Sequence, residues 1–307
     1  MAQVKSLDLS NTTENTSEAG FLWFDGSNLK VSTYAVGGTW SSGGNLINNT
    51  YQHGAAGDQT SALKAGGNVN SSTEEYDGST WATGTSMISA RCQLGGAGTQ
   101  NAGLMTGGIS NSPAGSTLTE EYDGSSWSSG GALITAGWGV EATGTQTSTL
   151  RVGGLPSSTQ CSEEYNGTAW SAGGSLINGV SRGASVGTQN AAFNAAGFSG
   201  PATTTNTEEY NGTAWSAGGT LSVARYNLGG FGAQDNGAVF GGSVSPRNQT
   251  ESYNGTSWST GTNLITGRTA IRGSGGVGKG ITFGGHPAQN VTEEFTQPIT
   301  SCTLTLS

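Results

Sequence analysis

Glu163-Glu164-Tyr165-Asn166-Gly167-Thr168-Ala169-Trp170-Ser171-Ala172-Gly173-Gly174 returns unchanged as Glu208 to Gly219. A twelve-residue string repeated in one chain is a trace of duplication, and it fixes a period to search with. Working outward, its tryptophan recurs at Trp40, Trp81, Trp127, Trp170, Trp215 and Trp258. Its aromatic recurs as Tyr76, Tyr122, Tyr165, Tyr210, Tyr253 and Phe295. A glycine pair recurs at Gly66, Gly107, Gly153, Gly241 and Gly284 with the residue after each, and as Ala196-Gly197 in the remaining copy. The distance from each tryptophan to the second residue of that pair is 27 in all six copies, whereas the distance onward to the next aromatic is 9, 14, 11, 13, 11 and 10. Insertions are confined to one loop per copy.

Each copy reads as four short strands. In the second, Gln93–Gly98 is strand one, Thr99-Gln100-Asn101 a turn, Gly103–Thr106 strand two, Thr119–Tyr122 strand three, and the Trp127 segment strand four. Asp123-Gly124 and its counterparts at Asp77, Asn166, Asn211 and Asn254 are tight hairpin signals, since these dipeptides tolerate positive φ. The glycine-rich inner strands suit close backbone approach around a central axis, and the tryptophans and tyrosines are expected to pack between neighbouring blades. The spacing therefore predicts an all-β fold: a six-bladed β-propeller with four antiparallel strands per blade. Trp40 precedes the first glycine pair and no tryptophan follows Phe295. The strand at Trp40 is thus expected to complete the last blade and close the ring.

A glycine pair ending strand two, then Tyr, then Trp, then Arg ten residues on, resembles the kelch repeat. Arg91, Arg225 and Arg268 stand in register; Thr50 and Gly137 replace the arginine in two copies, and Arg182 falls two residues late in a third. The resemblance covers about residues 38–296 and implies a kelch-type propeller at 36–296. It leaves 1–35 as an N-terminal extension or docking arm and 297–307 as a C-terminal tail. Residues 24–29 resemble a decayed copy of 76–81, readable as an added hairpin or a remnant.

With 54 glycines and a net charge of −9 from only 11 Lys and Arg, the chain lacks the basic clusters that phosphate backbones or anionic lipid require. No nucleic-acid partner and no membrane insertion are expected. Residues 1–20 contain no apolar segment of a secretory signal. Cys92, Cys161 and Cys302 have no CxxC spacing and read as free thiols.

Nothing suggests catalysis. The paired glutamates (Glu74-Glu75 and its counterparts) recur in every blade but one, so they describe architecture: one Glu solvated, the other available to an arginine. Acid–base pairs should be singular. His53 and His286 sit in the first and last copies, too few for a copper centre of the kelch-type oxidases. Asp123 to Trp127 is one residue short of a sialidase Asp-box, and the glycine run 273–280 has no following helix for a phosphate loop. Gln59, Gln100, Gln146, Gln189 and Gln234 read as turn residues. No cofactor and no metal are expected.

Binding is then assigned to the variable loops, which alternating strand direction gathers on one face. The residues singled out there are Asn70, Asn111, Phe198, Arg247 and His286, in polar surroundings that suit a glycan or protein partner. In composition and in the likeness of its copies, the whole chain resembles kelch-like proteins of tailed bacteriophages, notably marine and cyanobacterial ones. That resemblance implies a non-enzymatic virion protein of tail, fibre or capsid surface. Such a protein would be made in the host cytoplasm and joined to other virion proteins through the N-terminal arm, with a host surface glycan as possible ligand. A cellular kelch scaffold or lectin is the alternative reading, and a sugar-modifying propeller enzyme a third.

Overall fold

The computed structural model describes residues 22–24, 29–34, 37–110, 114–156, 160–200, 202–287 and 289–304. The chain divides into two units, residues 40–295 and residues 1–39 with 296–307. The larger is a six-bladed β-propeller. Its first blade runs outward through Gly54–Asp58, Ser61–Ala65, Thr73–Tyr76 and Trp81–Gly84. Four further blades repeat this order around inner strands Gly95–Thr99, Glu141–Thr145, Ala184–Thr188 and Gly229–Ala233. The sixth consists of Arg272–Gly276, Lys279–Phe283 and Thr292–Thr296, with Thr39–Ser42 as its outer strand. The expected ring closure is therefore present.

The repeated residues are the interface between blades, and each makes the same bond six times or nearly so. Every repeat tryptophan donates its indole N–H to a hydroxyl at the start of strand three in the preceding blade: Trp81 to Thr292, Trp127 to Thr73, Trp170 to Thr119, Trp215 to Ser162, Trp258 to Thr207 and Trp40 to Thr250, at 2.9–3.4 Å. Burying an indole without such an acceptor would cost part of what its area contributes.

The second glutamate of each pair is not solvated, as the sequence suggested, but half-buried beneath the tyrosine of the next blade. Tyr165 donates to Glu121, Tyr210 to Glu164, Tyr253 to Glu209 and Tyr76 to Glu294 at 2.5–2.6 Å, and Tyr122 donates to Glu75. Burial together with the carboxylate pushes Tyr76, Tyr210 and Tyr253 up to about 12, which keeps them protonated donors. At the remaining interface the carboxylate is Ser252 and the aromatic is Phe295. Donor and acceptor have been lost together, so neither is left unpaired.

The glutamines bridge blades too. Gln100 donates to the carbonyls of Ala62 and Tyr76, Gln146 to Gly103 and Tyr122, Gln189 to Thr149 and Tyr165, and Gln234 to Ala192 and Tyr210, at 2.7–3.1 Å. Their backbone sits in a turn, as expected, but their side chains close the seam to the previous blade.

The first glutamate of each pair is buried and accepts the N–H groups of the loop that follows the tryptophan strand of the preceding blade, as Glu120 does from Ile88 and Ser89 at 2.7 and 3.2 Å. In three blades an arginine from the loop before strand one neutralises it: Arg91–Glu120, Arg225–Glu251 and Arg268–Glu293, at 2.8–3.0 Å. The blades lacking that arginine place a polar side chain on strand two instead. Lys64, Arg151 and Asn194 occupy the strand position that Met105, Val239 and Thr282 hold in the others. All three are buried. Arg151 lies 4.0 Å from Glu163, Lys64 donates to the Ser72 carbonyl and hydroxyl, and Asn194 accepts from Ser185.

The second unit is a three-stranded antiparallel sheet of Leu22–Phe24, Leu29–Tyr34 and Ile299–Leu304. Leu22 pairs with Val31, and Tyr34 with Ile299. The stretches read from sequence as arm and tail thus share a sheet; of the candidate decayed copy at 24–29, Phe24 pairs with Leu29 and 25–28 lie outside the described residues.

Candidate functional site

The loops before strand one and those between strands two and three meet on one face of the ring, the loop face; the tight turns lie on the other, the turn face. At the centre of the loop face six backbone amides form a closed circle. Gln93 donates to the carbonyl of Gln52, Gly139 to Gln93, Arg182 to Gly139, Asn227 to Arg182, Ala270 to Asn227 and Gln52 to Ala270, at 2.7–3.0 Å. All six have φ between 54° and 61°. Five are not glycine, so each holds a left-handed conformation that costs on the order of 1 kcal/mol, offset by its place in the circle.

Beneath this circle Glu141 and Arg272, from opposite blades, meet across the axis at 3.2 Å. Burial pushes the Glu141 carboxyl up to about 7 against the pull of Arg272. Beyond them lies a cavity of about 120 Å³ lined by the inner strands. Its wall is glycine and alanine with Val186, Phe231 and the hydroxyl residues Thr143, Ser185 and Ser274, and no acidic or basic side chain lines it.

Around the amide circle stand aromatic residues. Phe198 meets Tyr226 at 6.0 Å between ring centroids, His286 meets Tyr51 at 5.6 Å, and the Arg182 guanidinium lies 4.9 Å over the Trp138 ring while its Nε donates to Gln93 Oε1 at 3.1 Å. Aromatic faces bracketing a guanidinium and amide groups can hold the C–H faces and hydroxyls of a polar ligand, or a protein loop.

Of the five residues singled out from sequence, the four that are described fall on four different blades and do not form one cluster. Phe198 and His286 reach the aromatic collar. Asn70 is spent on its own loop, its Oδ1 accepting from the Ser72 amide and hydroxyl at 3.0 and 2.8 Å. Arg247 is half-buried in a turn with φ 65°, and Asn111 lies outside the described residues. Arg91, Arg225 and Arg268 are buried in ion pairs with Glu120, Glu251 and Glu293. Sequence reasoning missed Tyr51, Trp138, Arg182 and Tyr226. The available signal was an arginine two residues late and a tryptophan outside the repeat. Both break the pattern, and a site must break it.

Another miss concerns the polarity of the face. Among the described residues every large exposed apolar side chain lies on the loop face: Ile47, Ile88, Ile134, Ile177 and Ile265 after the outer strands, and Val69, Leu118 and Val244 in the variable loops. The exposed aspartates Asp58, Asp77, Asp123 and Asp235 all lie on the turn face.

His53 is fully buried, stacked on Phe283 at 5.1 Å with neither ring nitrogen bonded, whereas His286 is exposed. No group of three or more metal-ligating side chains occurs among the described residues. Burial, then the positive charges of Lys64, Arg272 and Arg268, hold His53 well below its usual range. The unfolded chain takes up a proton below about pH 6.5 that the folded ring refuses, so stability falls with decreasing pH there by up to about 1.4 kcal/mol per unit. Glu141, raised on folding, contributes the opposite slope. The His53→Phe variant should therefore lose stability less steeply than the parent between about pH 6.5 and 5, measured by denaturant titration at each pH.

A solved structure titled "Structure of YjhT" superposes with a TM-score of 0.69 over 84% of this chain and 99% of that one, at 13% sequence identity. At that identity the likeness is one of fold. No protein-family model matches the chain, and no curated protein matches it in sequence.

Proposed function

We propose that this protein is a non-enzymatic structural or adhesion component of a bacteriophage particle, and that the loop face of its kelch-like ring is the contact surface. The observation that carries the contact surface is segregation: exposed apolar side chains and the aromatic collar occupy the loop face, while exposed carboxylates occupy the turn face. A catalytic ring would need one asymmetric constellation of reactive groups. Here, apart from the single axial pair of Glu141 and Arg272, the buried arginines and the glutamates they face recur by blade as ion pairs. The virion assignment rests on the resemblance in composition and repeat style. A glycan or protein partner fits the collar; a cellular scaffold or lectin is the second reading.

Mass spectrometry of density-purified, protease-washed particles tests the assignment. We expect the chain at a fixed stoichiometry to the major capsid protein, high for a capsid decoration and low for a tail fibre. Absence from washed particles overturns the virion reading.

A further inference from the structure

In five of the six copies the residue seven beyond the repeat tryptophan is an exposed isoleucine: Ile47, Ile88, Ile134, Ile177 and Ile265, each 51–60% exposed. The residue before each is a buried leucine or methionine. The sixth copy has Ser222. Single exposed apolar residues are ordinary, but an isoleucine placed five times at one point of a repeat is a ring. These backbones are also pre-set. Each of the five amides donates to the buried first glutamate of the next blade at 2.7–2.8 Å, so ordering costs little on contact.

We propose that this ring, with Val69, Leu118 and Val244, is an isologous interface onto which a second copy of the chain docks, loop face to loop face. The inference rests on the loop face being the contact surface, and names its occupant. Two features select a second copy. First, the ring is nearly sixfold, and another copy turned over about an axis in the ring plane presents isoleucines at the same radius and spacing, the self-complementarity that twofold pairing needs. Second, charge disfavours the other pairing of like faces, since the turn face carries four exposed aspartates and, among the described residues, one exposed cation, Lys279. No exposed carboxylate lies on the loop face among the described residues, where the charged side chains outside the buried pairs are Arg182, Arg247 and His286, whereas turn face against turn face would oppose Asp58, Asp77, Asp123 and Asp235. Together the eight side chains expose the equivalent of about four whole aliphatic groups, arranged as a rim around the central collar.

Sedimentation velocity over a wide concentration range tests the pairing on the full chain. The parent is expected to run as a dimer. The double variant Ile88→Lys/Ile134→Lys should weaken association by about 30-fold or more, with unchanged circular dichroism and melting because both side chains are exposed. Ser79→Lys on the turn face should leave the dimer intact. A parent that stays monomeric at the highest concentration overturns the proposal, as does a dimer that tolerates the isoleucine changes and is broken by Ser79→Lys. Neither result touches the particle measurement, so failure of the pairing and failure of the virion reading are told apart. A monomer that captures a glycan through the collar would leave the contact surface standing and remove the second copy from it.

Discussion

Replacing Trp40 with alanine is expected to lower the unfolding free energy by about 3–5 kcal/mol, the range for deleting a buried tryptophan, and to lower the melting temperature by about 10 °C for a ring of this size. Trp40 lies on the one strand whose sequence neighbours are not in its blade. Its ring meets Phe240 at 4.9 Å, Phe295 at 5.2 Å and Phe231 at 6.0 Å, and its N–H donates to Thr250 of the preceding blade. The seam it fills is also the one without a Tyr–Glu bond, where Ser252 faces Phe295, so apolar packing carries more of the closure there. Trp258→Ala should cost less, because Trp258 is only half-buried. Scanning calorimetry of both variants decides this. Equal losses would mean that the closing seam is no more dependent on its tryptophan than the others.

Arg151→Met and Gly137→Arg should each destabilise the protein, and together they should restore it. Arg151 is fully buried, with its nearest guanidinium nitrogen 4.0 Å from Glu163. Removing it leaves a buried carboxylate without its cation, at a cost of about 3 kcal/mol or more. Gly137 stands where Arg91, Arg225 and Arg268 stand in other blades. A Cβ at Gly137 would lie 2.4 Å from Arg151 Nη2, so any larger residue there must displace the Arg151 guanidinium. With methionine at 151, as Met105 stands beside Arg91, an arginine at 137 can reach Glu163 and the carbonyls of Gly153 and Cys161, as Arg91 reaches Glu120, Gly107 and Leu118. We expect the double variant to lie within about 1 kcal/mol of the parent, a coupling large enough for a double-mutant cycle by denaturant unfolding. Additive losses would show that the cation cannot be relocated.

The collar and the apolar rim were hard to read in the sequence for a physical reason. Repeats advertise what every blade needs, so a residue acting once, such as Arg182 or Trp138, looks like drift. An exposed isoleucine beside a buried leucine looks like more core, because a string does not record which of two adjacent apolar residues faces solvent.

The periodic spacing by itself determined the six blades, the strand order within each and the closing role of Trp40, since constant distances of this kind admit one pattern of hairpins. It also marked Arg91, Arg225 and Arg268 as structural. Only the tertiary structure decided that Lys64 and Arg151 bury a cation on another strand of the blades that lack the loop arginine, that the glutamine side chains reach back to the previous blade, and that six left-handed residues close a circle at the axis. Each of these joins atoms from different strands or different blades, and such contacts follow from side-chain length and direction in three dimensions rather than from spacing along the chain.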